Sequence, residues 1–472
     1  MSLAALACLG CTQKADNPVL SIEGGKVQGI ATETPGVLAY KGIPYAAAPI
    51  GDLRWKAPQS VTPWEGVKVA DSFGHPGYQA VHYPGGYTTE WGYGDESPYS
   101  EDCLYLNVWT KASAQTDRKL PVALWIHGGG YREGWGSEPE FDGQEWANKD
   151  VVLVSINYRL GVFGFLTHPE LSAESPDGVS GNYGILDQIA ALKWIKNNIA
   201  QFGGDPDNVT IFGQSAGGGS VRTLCASPLT RGLFNKAVIM SAAGISRTSV
   251  SGPFGRTVLK DREQADKKIL DWAGLDDLKK MRAASTEPLY ALSTIYSAVN
   301  KTYGSLTSFP VIDGYVSEET FDEAAYNNNL PHIPYMIGYT LNDLGDMGDG
   351  IIEFCLNREE NGDTAYAYQF ARPLPDDGSH PEVTARLKGA FHSSDLWYVF
   401  KSLKHCWRPW TKGDWDLSEQ MLRGWSNFVK TGNPNGEGIP AWTPCTEDNK
   451  DLMLFKLDGN DAENSEMGAP LK

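Results

Sequence analysis

The sequence predicts a large α/β domain with a mostly parallel central sheet and helices on both faces. Short continuous apolar runs, typical of strands buried on both faces of a parallel sheet, recur along the chain. A stretch with apolar residues at helical spacing lies between two of these runs. No internal repeat, linker or charge run divides the 472 residues. We therefore expect residues 17–472 to form one domain.

Residues 1–16 form a leader that we expect to be unstructured. Ser2 to Cys11 is short, small and apolar, and resembles the end of a secretory signal that runs into a bacterial lipoprotein cleavage site. Cys11 would receive the lipid, although a positively charged region is missing and Cys8 replaces the usual Leu. We predict an exported protein, secreted or attached to a membrane only through Cys11. The alternative is a leader without a targeting role, in a cytoplasmic protein.

The chain then begins with β structure. Residues 19–45 predict short antiparallel strands with Gly turns, and residues 46–58 predict an irregular surface segment. Residues 75–99 form a loop rich in aromatic side chains, among them Tyr83, Tyr87, Trp91 and Tyr93. Such a loop often lines a site, but a self-packed surface loop would show the same pattern.

Parallel strands and a crossover helix occupy the middle of the chain. The apolar runs that predict strands are residues 121–126, 151–156, 209–212, 236–240 and 334–337. Between the second and third runs, the residues at helical spacing are Ile185, Ile189, Leu192, Ile195 and Ile199. They predict a helix with one buried face.

The composition excludes several classes of partner. With 40 basic and 58 acidic residues, the net charge of −18 disfavours nucleic acid and anionic membrane surfaces. The 7 cysteines show no metal-ligand spacing, so we expect free thiols and neither a metal nor another cofactor. The expected partner is a small molecule, and the sequence leaves the oligomeric state open.

The segment Asn208–Gly219 predicts a strand, a tight turn and a helix, with Ser215 at the turn. Gly213 and Gly217 let the chain reverse without Cβ clashes, and the turn holds the hydroxyl out of the sheet. The N–H of Ala216 then lies at a helix N-terminus, where a developing oxyanion is stabilised. Because short Gly-x-Ser-x-Gly matches also arise by chance, a plain Gly turn is the alternative.

A second Gly-rich turn, His127–Gly130, directly follows the predicted strand that ends at Ile126. Its glycines leave backbone N–H groups uncovered, so a substrate carbonyl oxygen can approach them. Both turns end parallel-type strands, and sites in open α/β sheets form at the carboxyl ends of strands. We predict an oxyanion hole from Gly129, Gly130 and Ala216.

The histidine should come last in the chain, since proteins built on this turn order their residues as nucleophile, acid, histidine. His392 is favoured because it lies on a loop at a predicted helix start, which Ser393–Asp395 can cap. The other histidines after Ser215 lie ahead of the acid, in a solvated turn, and on a predicted helix surface: His332, His380 and His405.

The acid should lie just past a strand end, and Asp343 closely follows the predicted strand at residues 334–337. It would fix the tautomer of the histidine and stabilise its cation. Asp346 and Asp349 lie in the Gly-rich turn that follows, so the spacing alone leaves the choice among the three aspartates open.

These motifs resemble those of the type-B carboxylesterases, the cholinesterase-like branch of the α/β-hydrolases, and in particular their bacterial para-nitrobenzyl-esterase-like members. The matching segments are Tyr40–Tyr45, Glu101–Asn107, Trp125–Gly130, Asn157–Gly161, Gly181–Asn182, Asp187–Gln188, Phe202–Pro206, Gly213–Gly217, Pro310–Gly314, Ala390–His392 and Thr431–Asn435. The resemblance implies the α/β-hydrolase fold and a triad of Ser215, His392 and Asp343, where most members have Glu as the acid. It also implies that Ser241 supports the acid, and Gln214, beside Ser215, is a further candidate supporting residue.

Several departures from the family pattern bear on the substrate. Gln214 precedes the nucleophile where true cholinesterases have Glu, and their choline-binding Trp has no clear counterpart, although Trp91 is close. Cholinesterase activity is therefore not expected, and Trp91 and Tyr131 are candidate substrate-lining residues. Cys103 has no Cys before it outside the leader, so the loop disulfide of secreted animal relatives cannot form.

The stretch between Asp343 and His392 is short. The family places a helical roof over its active-site gorge in this region, so the resemblance predicts a shortened lid.

The sequence thus predicts a serine carboxylesterase that works through an acyl-enzyme. An amidase or lactonase on the same triad is an alternative, because these reactions share the tetrahedral intermediate. A non-catalytic binding module on this fold is disfavoured because Ser215 and His392 are both present. The natural ester and the preferred acyl and alcohol sizes stay open.

Overall fold

The computed structural model describes residues 17–93, 98–115, 119–247 and 257–457. The predicted leader, including Cys8 and Cys11, lies outside the described residues. None of the helices within these ranges combines the length and the apolar character needed to cross a membrane.

A 10-stranded sheet dominates the described part of the chain. Its strands are β3 (Ile30–Ala31), β4 (Val37–Pro44), β6 (Tyr105–Lys111), β7 (Leu120–Ile126), β8 (Val152–Ile156), β9 (Gly204–Gln214), β10 (Lys236–Met240), β11 (Tyr335–Thr340), β12 (Ala365–Phe370) and β13 (Met453–Phe455). A separate 3-stranded sheet contains β1 (Val19–Ile22), β2 (Gly25–Gln28) and β5 (Val67–Val69).

The large sheet has the order β13-β12-β11-β10-β9-β7-β8-β6-β4-β3. Pairing is parallel from β13 through β8 and antiparallel across β6, β4 and β3. Ile126 pairs with Gly213, and Met240 pairs with both Gln214 and Gly338. The carboxyl ends of four neighbouring strands therefore meet at one edge, where the predicted catalytic turns begin.

Helices cover both faces of this sheet. The described helices are α1 (Tyr87–Glu90), α2 (Gln144–Asn148), α3 (Gly161–Phe165), α4 (Pro169–Glu174), α5 (Tyr183–Asn198), α6 (Ala216–Ala226), α7 (Leu259–Trp272), α8 (Leu278–Ala283), α9 (Thr286–Asn300), α10 (Phe321–Tyr326), α11 (Gly348–Glu360), α12 (Pro381–Thr384), α13 (Leu396–Val399) and α14 (Lys412–Thr431). Thr411 and Asp414 form a capping box at the start of α14, and Gly432 ends that helix in the left-handed conformation.

The alternation of side chains along β7 divides the core in two. Val122, Leu124 and Ile126 pack in a cluster with the apolar face of α5, while Ala123 and Trp125 pack in a second cluster with α14. The predicted crossover helix is α5, and its apolar stripe is buried as expected. The predicted α/β-hydrolase class, a large mostly parallel sheet with helices on both faces, is confirmed.

Candidate active site

Ser215 lies between the end of β9 and the start of α6, in a backbone conformation that L-residues rarely adopt. Its φ is 57° and its ψ is −124°, a region that costs about 1–3 kcal/mol and persists only where neighbours enforce it. Its N–H donates to Met240 O at 2.9 Å, and its carbonyl accepts from the Gly219 N–H at 2.8 Å. These bonds hold the serine on a sharp strand-to-helix turn.

The glycines beside Ser215 are required by close backbone packing. A Cβ on Gly217 would lie 2.0 Å from the Ile126 carbonyl oxygen, and one on Gly213 would lie 2.5 Å from the Gly217 backbone. Strand β7, strand β9 and helix α6 therefore meet more closely than any side chain permits.

The Gly128–Gly130 turn packs directly against the serine. A Cβ on Gly128 would lie 3.2 Å from the Ser215 Cβ, and Gly129 and Gly130 have φ values of 87° and 61°. Among the described residues, the N–H groups of Gly129 and Gly130 have no hydrogen-bond partner. The N–H of Ala216 belongs to the first turn of α6, where helical N–H groups have no intrahelical acceptor. These three donors are free to bind an anionic oxygen.

The His392 imidazole is paired with the Asp343 carboxylate. Nδ1 of His392 lies 2.5 Å from Oδ1 of Asp343, and the two side chains are 10% and 0% exposed. Thr340 donates to Asp343 Oδ2 from its N–H and its hydroxyl, and the Leu344 N–H donates to Oδ1 at 2.7 Å. The carboxylate is thus oriented by the end of β11 and aimed at the histidine.

Burial and hydrogen bonding have opposite effects on the pKa of Asp343. Burial raises it, but the hydrogen bond and charge of His392, with Ser241 and the Leu344 N–H, outweigh burial and leave the pKa below its ordinary value. The Ser241 hydroxyl has no well-formed hydrogen bond to any described residue, but it is close enough to contribute to this shift. Asp343 is therefore ionised and suited to stabilise an imidazolium.

The loops that carry Asp343 and His392 are tied together by the residue before the acid. The Asn342 N–H donates to Ala390 O at 2.9 Å, and its side-chain oxygen accepts from the Ala390 N–H at 3.0 Å. We call these two bonds the Asn342 clamp.

The competing aspartates and histidines lie elsewhere. Asp346 accepts hydrogen bonds from Tyr339 and the Gly348 N–H, and Asp349 lies in the first turn of α11. The other histidines that follow Ser215 pair with carboxylates outside the site: His332 with Asp363, His380 with Glu382 and His405 with Asp142.

Gln214, a candidate supporting residue, contacts the catalytic histidine candidate directly. Its Nε2 lies 3.2 Å from Nε2 of His392, so the amide caps the ring nitrogen that a serine hydroxyl would use. With Nδ1–H donated to Asp343, Nε2 is the acceptor in this contact. The imidazole is therefore held in the tautomer needed for a base, next to the serine that follows Gln214.

The aromatic loop contacts the histidine loop directly. The Tyr87 hydroxyl donates to the His392 carbonyl at 2.8 Å, and Glu90 is buried against Arg408 and the Trp397 indole. The part of the loop around α1 is therefore fixed to the site, which the sequence had left open.

The two candidate substrate-lining residues are largely buried. Trp91 is 5% exposed and lies 5.1 Å from Trp397, ring centre to ring centre. Tyr131 is 3% exposed, but it lines a cavity of about 80 Å³ beside α6. Tyr131 thus borders a small cavity beside α6, whereas Trp91 packs against Trp397.

One sequence-based expectation at the histidine loop is wrong. Asp395 begins α13, but its side chain makes no capping hydrogen bond. The carboxyl is instead fully buried and accepts from the Tyr368 hydroxyl at 3.2 Å. Burial and the nearby charge of Asp343 raise the pKa of Asp395 to about 7.

Comparisons with known proteins identify the family of this chain. The family described as "Carboxylesterase family" matches residues 16–353 and 346–469. The para-nitrobenzyl esterase of Bacillus subtilis (strain 168) is 32% identical over 93% of this chain and 94% of its own. The fumonisin B1 esterase of Sphingopyxis macrogoltabida is 34% identical over 80% of this chain and 67% of its own.

Solved structures show the same fold. A PNB esterase superimposes with a TM-score of 0.76 at 28% identity, covering 94% of this chain and 96% of the other. The carboxylesterase of Geobacillus stearothermophilus does so with a TM-score of 0.75 at 30% identity, over 93% and 96%. The chain belongs to the carboxylesterase family and is a carboxylic ester hydrolase.

Proposed function

We propose that this protein hydrolyses carboxylic esters through an acyl-enzyme formed on Ser215, with His392 as the base and Asp343 as the acid. The observation that carries the proposal is the 2.5 Å contact between His392 and Asp343, on a histidine whose other ring nitrogen is capped by the residue before Ser215. Asp343 fixes the tautomer that leaves Nε2 unprotonated.

The reaction begins when the Gln214 amide moves away from Nε2 of His392. The Ser215 hydroxyl then takes its place as the hydrogen-bond donor to that nitrogen. His392 takes the serine proton while Oγ attacks the ester carbonyl, and the N–H groups of Gly129, Gly130 and Ala216 stabilise the oxyanion. The imidazolium then gives its proton to the leaving alcohol. Water, activated by the same histidine, releases the acid and restores the serine.

Replacement of the nucleophile tests this mechanism. Ser215→Ala should lower kcat by several orders of magnitude, because only oxyanion-hole and binding contributions remain. A serine-directed phosphonate should label the wild-type protein once, on Ser215, as read by peptide mass spectrometry. Near-full activity of a folded Ser215→Ala variant, or labelling of another residue, would show that the mechanism is wrong.

A further inference from the structure

We propose that Arg132 is a specificity-determining residue that binds a carboxylate on the substrate, so that this hydrolase prefers anionic esters. The inference rests on the proposed function, since it needs an ester bound at Ser215.

The backbone places Arg132 at the proposed oxyanion hole. The N–H groups of Arg132 and Glu133 both donate to Gly129 O at 3.0 Å, so the turn folds back on itself directly after the glycines. The Cα atoms of Gly130 and Arg132 are at most about 7.6 Å apart, because consecutive Cα atoms are about 3.8 Å apart. The arginine side chain therefore starts close to where the ester carbonyl would bind.

One nitrogen of the Arg132 guanidinium is hydrogen-bonded, and the others can bind a ligand. Nε of Arg132 donates to the Ser308 hydroxyl at 2.9 Å, and Ser308 itself is only 6% exposed. Within the described ranges, the two terminal nitrogens of Arg132 have no hydrogen-bond partner, and the residue is exposed. This leaves a planar fork of N–H donors, fixed in orientation, that matches a carboxylate.

The absence of an ion pair is unusual for an arginine of this chain. Most arginines elsewhere in the described chain pair with carboxylates, as Arg159 does with Asp187 and Arg222 with Asp322; Arg231 and Arg386 do not. Arg132 has no such partner among the described residues, even though the chain has a net charge of −18. The adjacent Glu133 carboxylate lies instead 3.6 Å from His82. A carboxylate on the substrate would give Arg132 the ion pair that it lacks among the described residues.

Arg386 provides a matched control. It also lacks an ion pair among the described residues, and its side chain lies about 4.0 Å from where a Cβ on Gly86 would be. Gly86 precedes Tyr87, whose hydroxyl bonds to the His392 carbonyl, so Arg386 lies on the side of the histidine loop. Loss of this charge tests general electrostatic attraction, which salt screens over about 10 Å at 0.1 M.

The experiment compares charged esters with neutral isosteres on the wild type, Arg132→Gln, Arg132→Lys and Arg386→Gln. The acyl-side pair is monoethyl succinate and ethyl 4-oxopentanoate. The alcohol-side pair is 4-acetoxybutanoate and 5-acetoxypentan-2-one. In each pair a carboxylate is replaced by a methyl ketone, and kcat/KM is measured at 0.1 M salt.

Arg132→Gln should lower the charged-to-neutral ratio of kcat/KM in one pair by roughly tenfold to a hundredfold, the effect of losing charge-assisted hydrogen bonds. Arg132→Lys should retain part of the ratio, because it keeps the charge and loses the fork. Arg386→Gln should change it less than twofold. The pair that responds identifies the side of the ester on which the carboxylate lies.

Equal ratios in the wild type and Arg132→Gln in both pairs would overturn the inference, as would an equal loss in Arg386→Gln. The neutral esters separate this failure from a failure of the proposed function. If the wild type hydrolyses the ketone esters and the ratios do not move, only the role of Arg132 is wrong. If it hydrolyses none of the four, the proposed function fails.

Discussion

The short contact between His392 and Asp343 is the residue-scale feature on which the proposed chemistry depends. Asp343→Asn should lower kcat by roughly 10⁴-fold, because an amide favours the wrong imidazole tautomer. Asp346→Asn should have little effect, since Asp346 bonds to Tyr339 and Gly348. Steady-state kinetics on one nitrophenyl ester measures both variants, and small equal effects would leave the acid unassigned.

Asp395 should make the stability of the fold depend on pH. Burial first, and then the charge of Asp343, raise its folded pKa from 3.8 to about 7. Between these values the folded state binds more protons than the unfolded state, so the free energy of unfolding falls as the pH rises. The total loss is on the order of 4 kcal/mol at most and is complete above pH 7.

Thermal unfolding from pH 4 to 8 checks this expectation for Asp395. The Asp395→Asn variant should show a flatter decline of Tm over that range than the wild type, because the amide does not titrate. Asp343 contributes in the opposite direction, since its lowered pKa adds stability as the pH rises at the acid end. An unchanged slope in the variant would exclude Asp395 as the titrating group.

At the scale of elements, the junction of β7, β9 and α6 depends on backbone contact. Gly217→Ala places a Cβ 2.0 Å from the Ile126 carbonyl oxygen. The resulting displacement should cost at least about 1–3 kcal/mol of stability and move Ser215 out of position. Gly345→Ala is the control, because its Cβ would meet nothing within 4 Å and its φ is not positive.

Chemical denaturation and kcat, measured together, test the Gly217 prediction. Gly345→Ala should leave both unchanged. If Gly217→Ala were as stable and active as the wild type, the close approach would not constrain the turn.

The region between Asp343 and His392 contains helix α11, which packs into the core. Helix α11 buries Ile351, Phe354 and Cys355 beneath the sheet, and α12 has only 4 residues. Leu344, beside the acid, is 79% exposed. The described helices of this region are thus one core helix and one single-turn helix, in keeping with the predicted shortened lid.

If the described residues between Asp343 and His392 form no roof, the site should favour short acyl chains and show no interfacial activation. Each missing apolar contact between the protein and the acyl chain removes about 1–3 kcal/mol of discrimination between substrates. The preference for one acyl length over another should therefore be modest. Rates on nitrophenyl esters of increasing acyl length, below and above their solubility, measure this. A maximum at long chains with a jump on emulsification would mean that another part of the chain supplies a lid.

At the scale of the whole molecule, the sequence predicted what depends on periodicity and on turn chemistry. The buried runs gave the parallel strands, and the spacing from Ile185 to Ile199 gave α5. The choice of Asp343 over Asp346 needed the family resemblance, because strand-end spacing fits both. The resemblance likewise supplied Ser241, whose hydroxyl lies near the acid.

Other contacts could not be predicted because they join residues far apart in the chain. Tyr87 and His392 are 305 positions apart, and Glu90 and Arg408 are 318 apart. The misassigned cap at Asp395 arose because local pattern favours an N-cap, whereas the burial that redirects its carboxyl to Tyr368 depends on the packed sheet.

The Asn342 clamp has a consequence for how enzymes of this kind can diversify. It joins the two ends of the segment between the acid and the histidine, through the Asn342–Ala390 bonds. Loops within the segment between Asn342 and Ala390 can be lengthened at a modest entropic cost, because the entropy of loop closure depends only weakly on loop length. Because α11 and β12 in this segment belong to the core, a longer graft belongs in the loops beside them. Such a graft should change the choice of substrate while the reacting groups keep their places.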